Sequence, residues 1–368
     1  RQSCRYLNTG RTICVFIPSR VRMICGFYAA IHLPWLEQAW SLCLPGSGPD
    51  RHQLGYNTGL WNMDKATLIA NESGARLSLQ HDVVVLEQPD GRKQRVGIMG
   101  LKQILVEGDL DLSSKFIRGC LGSDISLVLL PGRAREPARH LFTQHDGLQP
   151  GRLTQYAAYL DPGRRLALAQ EAVVAKIEAQ TECLRNRGQA AELDRFIIHA
   201  RQVEDLPSLL GVEGAASARY FRTWATLIAP AWGFHGRNRR PPKDPVNALM
   251  SLSYTLVSHA MGRLAAEAGL EPALGFLHAP EPGRPSLALD LMEPLRPWVD
   301  DWVLSFCESG ALAPDDFTQD PALGCRLTKT ASGRYYQHWF GGAAAWFEHE
   351  GRGHLERLRE AMISVPAA

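Results

Sequence analysis

At 368 residues, 45% hydrophobic and 21% charged, the chain has globular composition and enough apolar material for a core without a disulfide or metal staple. A net charge of +2 is too mild to mark a nucleic-acid partner by itself. No apolar run is long enough to span a membrane, and the eight cysteines form no CxxC pair, which argues against a zinc knuckle and fits reduced thiols in the cytoplasm.

In chain order, residues 1–60 read as an N-terminal extension or the tail of a fusion. They begin with Arg1, hold Cys4, Cys14, Cys25 and Cys43, include the turn-rich LPGSGPD, and carry no recognisable chemistry. From about Thr67 the texture turns to short strands. ARLSLQHDVVVLEQPDGRKQRVGI contains two β-rich runs around the turn signal Pro89-Asp90-Gly91, and QILVEGDLDLSS and DISLVLLPG are further strand candidates. A short helix is expected within Leu110–Leu121, capped by Ser113 or Ser114. Residues 61–145 are therefore a β domain, without the strand–helix alternation of a doubly wound sheet. After Gly147 the spacing becomes helical. PGRRLALAQEAVVAKIEAQTECLRNRG is a long helix stopped at Gly188, followed by helices in AAELDRFIIHARQV, SLLGVEGAASARYFRTWATLI, DPVNALMSLSYTLVSHAMGRLAAEAG and SLALDLMEPLRPWVDDWVLSFCESG. The fold class is α+β: a small N-terminal β domain, then a larger α-helical catalytic domain over 166–345 and a tail over 346–368.

Isolated polar groups in apolar settings mark three places. Glu213 stands at the expected entry to a helix, where complementing the helix dipole would account for it. His278 follows an apolar triplet, a common place for a satisfied half-buried imidazole. Asp290 and Glu293 are three apart, so on a helix they share a face; a solvated stripe screened by Arg296 would explain them. Together, carboxylates plus one imidazole also form an oxygen-rich ligand set for Mg²⁺ or Mn²⁺. Such an ion activates an attacking oxygen and stabilises a transferring phosphate. Arg237, Arg239, Arg240 and Lys243 form a cationic knuckle between these positions, and Arg133, Arg135 and Arg139 form a second cluster; a duplex phosphate backbone needs positive charge of this kind. Pro241 and Pro242 stiffen the knuckle, Asp244 suits an N-cap, Pro245 the first helical turn, and Asn247 a structural hydrogen bond. The combination points to phosphodiester chemistry on nucleic acid.

LLGVEGAASARYF, GRNRRPPKDPVNALMSLSYTLV and GFLHAPEPGRPSLALDLMEPLRPWVDDWVL, in that order, resemble the signature segments of the CRISPR-associated spacer integrase and endonuclease (Cas-one) family. TLIANESGARLSLQHDVVVLE is similar to that family's opening, so the resemblance spans roughly Trp61–Ala345. It implies a homodimer formed through the β domains. It also implies a small Cas-two partner and insertion of the 3′-OH ends of short duplex DNA into a CRISPR repeat, with one Mg²⁺ or Mn²⁺ site. Carried over, the ligands are Glu213, His278 and Glu293, with Asp290 as the accompanying acid, and a Glu stands at the last position where some members have Asp. AKIEAQ departs from the family in having Ala179 where Asn is frequent. Some members are fused to an upstream reverse transcriptase, and residues 1–60 are compatible with the end of such a fusion while carrying no polymerase motif. The competing reading is a non-catalytic DNA-binding scaffold subunit, which would have no need of the four acidic and imidazole positions.

Overall fold

The computed structural model describes residues 15–16, 65–130, 138–141, 150–238, 241–321 and 324–364. Strand β1 (Val15–Phe16) pairs antiparallel with β2 (Ala66–Ala70), so the N-terminal region adds a strand to the β domain. β3 (Arg76–Gln80), β4 (Val83–Glu87) and β5 (Lys93–Gly97) form an antiparallel meander. The Pro89-Asp90-Gly91 turn closes as its sequence requires: Gly91 sits at φ +84 and donates its N–H to Gln88 O. β7 (Asp111–Leu112) completes this four-stranded sheet.

The second sheet runs β1-β2-β6-β8-β9, with β6 (Leu101–Glu107), β8 (Ser126–Leu130) and β9 (Arg139–Leu141). Its centre is parallel, β2 with β6 and β6 with β8, a pairing the strand candidates alone did not reveal. Parallel strands carry long apolar runs when both faces are buried. Here alternate residues serve two cores: Leu68, Ile104 and Leu127 face the β domain, whereas Ile69, Leu105 and Val128 face the helical one. The sheet is thus a wall common to both domains. Helix α1 (Ser114–Gly122) precedes β8 and is capped as expected, Ser113 Oγ accepting from Phe116 N at 3.1 Å.

The helical domain comprises α2 (Pro150–Leu160), α3 (Pro162–Asn186), α4 (Asp194–Gln202), α5 (Leu206–Trp224), α6 (Pro245–Glu267), α7 (Ser286–Met292), α8 (Arg296–Glu308), α9 (Lys329–His338) and α10 (Ala344–Ser364). The long helix stops as its sequence implies, with Gly188 at φ +69 and Gln189 N donating to Leu184 O. Helix α6 is buried over most of its surface, which places it at the centre of the domain. The hairpin β10 (Phe317–Asp320) and β11 (Gly324–Leu327) braces the proline loop before α6: Cys325 N donates to Pro242 O at 2.8 Å.

Two expectations need correction. The stretch after 345 is not a tail through Ser364; it is α10, whose Phe347, Gly351, Leu355 and Met362 are buried. A Cβ on Gly351 would lie 2.2 Å from Met261 Cε, so α10 packs directly on α6. Glu213 is not at a helix entry: α5 begins seven residues earlier, where Asp205 accepts from Ser208 N at 2.7 Å and a proline occupies the first turn. The DLPS sequence is the true start signal, so dipole complementation cannot explain Glu213.

A candidate metal centre between four elements

Four segments converge. Helix α3 contributes Lys176 and Gln180, one turn apart; α5 contributes Glu213 and Ser217, also one turn apart. The loop before α7 contributes His278, and α7 with the 3₁₀ turn Glu293–Leu295 contributes Asp290 and Glu293. Asp290 and Glu293 are both buried, so the solvated-stripe explanation fails.

Asp290 organises the loop. Its Oδ2 accepts from Phe276 N at 2.5 Å and Leu277 N at 3.0 Å, and its Oδ1 from His278 N at 3.0 Å. The same Oδ1 lies 2.7 Å from His278 Nδ1. A carboxylate on Nδ1 fixes the tautomer that leaves Nε2 free as a ligand atom, and Nε2 faces Glu293 Oε1 at 3.8 Å. Gly275 makes this possible: a Cβ there would sit 2.7 Å from Asp290 Oδ2 and from the Ser286 backbone.

Glu213 and Glu293 face one another across Lys176. The Lys176 ammonium hydrogen-bonds Glu213 Oε1 and makes an ion pair at 2.6 Å with Glu293 Oε2. Ser217 Oγ donates to Glu213 Oε1 at 2.8 Å, and Gln180 lies behind Ser217 at 3.4 Å. On its other oxygen Glu293 accepts from Arg296 Nε at 2.7 Å. Burial opposes the Glu293 charge, but Arg296 and Lys176, with His278, overcome it and hold this carboxyl well below the usual range. Arg296 stacks over the Tyr254 ring at 4.8 Å, and the Tyr254 hydroxyl donates to Asp300. Burial pushes the Asp300 carboxyl up to about 7.

The knuckle divides. Arg237 turns inward, donating to Asn247 Oδ1 at 2.7 Å and lying 5.3 Å above the Tyr254 ring. Lys243 is exposed beside the Asp244 cap, whose Oδ1 accepts from Asn247 N at 2.8 Å. Arg239 and Arg240 lie outside the described residues, as do Arg133 and Arg135.

The model of the CRISPR associated protein Cas1 family matches residues 68–340. The chain belongs to the Cas1 family. It is 31% identical over 305 residues to a CRISPR-associated endonuclease Cas1 of Thermus thermophilus, covering 80% of this chain and 89% of that protein. It is 34% identical over 273 residues to a Cas4/endonuclease Cas1 fusion of Geobacter sulfurreducens, covering 69% of this chain and 48% of the fusion. Among solved structures, a Cas1 protein from Thermotoga maritima superposes with TM-score 0.73 at 22% identity, covering 81% and 97% of the two chains. A casposase bound to an integration product gives 0.70 at 20% identity, covering 80% and 90%. These two likenesses carry the fold.

Within this Cas1 chain the donors suit a hard divalent cation: two carboxylates and an imidazole with a fixed tautomer. Glu293 Oε2 supports the fit, being a buried oxygen whose neighbour is a cation, the Lys176 ammonium, and not a neutral hydrogen-bond donor. Among the described residues no three His, Cys, Asp or Glu side chains converge closely enough to hold an ion as they stand. The space between the glutamates is taken by a lysine. Arg296, expected to screen a solvated stripe, instead pairs with a buried Glu293, and Lys176 is a partner the sequence analysis did not name. A lysine on the buried side of α3, one turn from Val173 and from Gln180, was the available signal for Lys176.

Proposed function

We propose that this chain is a divalent-metal-dependent DNA integrase and endonuclease, which joins the 3′-OH ends of short duplexes to a CRISPR repeat. The observation that carries this reading is Glu213 and Glu293 drawn together on the Lys176 ammonium, with His278 Nε2 3.8 Å from the other oxygen of Glu293 and Asp290 fixed behind His278. Mg²⁺ or Mn²⁺ held by Glu213, Glu293 and His278 Nε2 would supply Lewis-acid stabilisation of phosphate charge and activation of the attacking oxygen. The protein's own part is to prepare that position. Asp290 keeps the imidazole proton on Nδ1. Arg296 steadies Glu293 in its ionised form. Ser217 orients the Glu213 carboxylate. Buried charges whose partners are fixed beforehand need no rearrangement during reaction.

Family membership supports homodimerisation through the β domain and assembly with the small Cas-two subunit, as does a chain of a Cas6-RT-Cas1–Cas2 complex that shares this fold with TM-score 0.71 at 20% identity, over 93% of this chain and 39% of that one. Lys243, exposed beside the Asp244 cap, is the described cation of the knuckle offered to the duplex backbone. The test is strand transfer of a labelled short duplex into a supercoiled repeat-bearing plasmid, with the small partner present and Mn²⁺ or Mg²⁺ varied. Transfer that needs the ion and disappears in Glu213→Gln, while duplex binding persists, is the expected result. Ion-independent transfer, or duplex binding without any transfer, rejects the reading; the latter is the scaffold.

A further inference from the structure

Among the described residues at the centre of the site, Lys176 is a charged group that metal ligation leaves without a task. It reaches from α3 into the gap between Glu213 and Glu293, and its side chain is 8% exposed. Its ammonium touches one carboxylate oxygen from each glutamate. Those two residues come from separate elements, α5 and the turn after α7, and no hydrogen bond joins them directly among the described residues. Glu293 keeps a second cation, Arg296, on its other oxygen, whereas Lys176 is the cation shared by both glutamates.

We propose that Lys176 is a tethered counter-ion for the metal-free site: it holds the two glutamates together in the absence of the ion and must leave when the ion enters. This rests on the metal-centre reading given above. The physical reason is direct. Two ionised carboxylates facing one another in a poorly solvated space repel, and one positive charge between them removes that cost. A divalent ion and an ammonium cannot share the gap between Glu213 and Glu293, because like charges at contact distance in a poorly solvated space repel strongly. Occupancy by one therefore excludes the other. Mutually exclusive occupants of one site are negatively coupled, with coupling factors of about 5–150-fold in typical linked equilibria. Lys176 is thus a positioning residue that sets how tightly the ion binds and keeps the empty site from springing apart.

The sign of the effect separates competition by Lys176 from a merely structural role. A residue that only braced the fold would weaken ion binding when removed. A competitor, when removed, strengthens it. The experiment is isothermal titration of Mn²⁺ into the full chain for wild type, Lys176→Met and Lys176→Arg, with thermal unfolding of each in chelator and in saturating Mn²⁺. Lys176→Met is expected to bind Mn²⁺ about tenfold more tightly or better. Its unfolding temperature should fall in chelator and show a larger rise with Mn²⁺ than wild type. Lys176→Arg, which keeps the charge in a bulkier head, should bind no more tightly than wild type. If Lys176→Met does not fold, Lys176→Gln, which keeps donors for both glutamates without the charge, is carried through the same titration. Equal or weaker Mn²⁺ binding by the neutral variant overturns the role of Lys176 while leaving the metal centre standing. Absence of Mn²⁺ binding by wild type and the neutral variant alike overturns both.

Discussion

Replacing Asp290 by Asn keeps the shape of the side chain and removes one acceptor. In the native protein Oδ2 receives the backbone N–H groups of Phe276 and Leu277, and Oδ1 receives that of His278 and stands on the His278 ring. The amide –NH₂ must replace one of these oxygens. If it replaces Oδ2, two buried N–H donors meet a donor. If it replaces Oδ1, the His278 N–H is orphaned and the ring moves its proton to Nε2 to accept from the amide, which closes the ligand atom. An unsatisfied buried donor costs about 1–3 kcal/mol, and bonds to a charged acceptor are worth about 1.5–3 kcal/mol each, so the loss should be on the order of 3 kcal/mol. For a domain of this size that is a fall in unfolding temperature of roughly 6–12 °C. The second orientation leaves fewer orphaned donors and should prevail, so Mn²⁺ affinity should fall about 10–100-fold, the usual consequence of losing the group behind a ligating histidine. Differential scanning calorimetry and Mn²⁺ titration read both quantities. An unfolding temperature and an Mn²⁺ affinity unchanged from wild type would refute the hub role of Asp290.

Arg237→Ala should destabilise the protein by about 1–3 kcal/mol in urea unfolding, because Asn247 and the Tyr254 face lose their partner, and should leave the salt dependence of duplex binding unchanged. Lys243→Ala should do the reverse, reducing the slope of log K against log salt by about one without loss of stability. Gly275→Ala should cost about 1–3 kcal/mol and weaken Mn²⁺ binding, since the new methyl collides with the Ser286 backbone and the Asp290 carboxylate. Asp300 has a raised carboxyl, from 3.8 to about 7, so it holds its proton in the folded state over a range where the unfolded chain has lost it. Its contribution to stability therefore declines as pH rises from about 4 to about 7 and is flat above that. Asp300→Asn should flatten this decline and raise the unfolding temperature at pH 8 but not at pH 4; an equal shift at both pH values would contradict the assignment.

Much of this was legible in the residues, and for reasons that can be named. Ser113, Asp244, Pro245 and Gly188 act through local backbone chemistry, so their sequence context suffices. The β-to-α order followed from a change of apolar period. The parallel pairing of β2, β6 and β8 was hidden because it depends on contacts between segments far apart in the chain. The same distance hid the wall shared by two cores. For the site, the residues came from resemblance to a family and their environment from the structure. The helix of Glu213 starts earlier than its apolar run suggested, and the ring of charges around Glu293 joins α3, the α7 turn and α8. Lys176 was overlooked because a lysine in a long helix ordinarily faces solvent.

Anomalous diffraction from crystals equilibrated with Mn²⁺ tests the proposed metal centre most directly. One anomalous peak per chain is expected, bonded at about 2.1 Å to carboxylate oxygens of Glu213 and Glu293 and to His278 Nε2, with Asp290 still on Nδ1 and the Lys176 ammonium displaced from between the glutamates. Mn²⁺ held elsewhere, or a Lys176 ammonium still bridging the two carboxylates at saturating Mn²⁺, would contradict it.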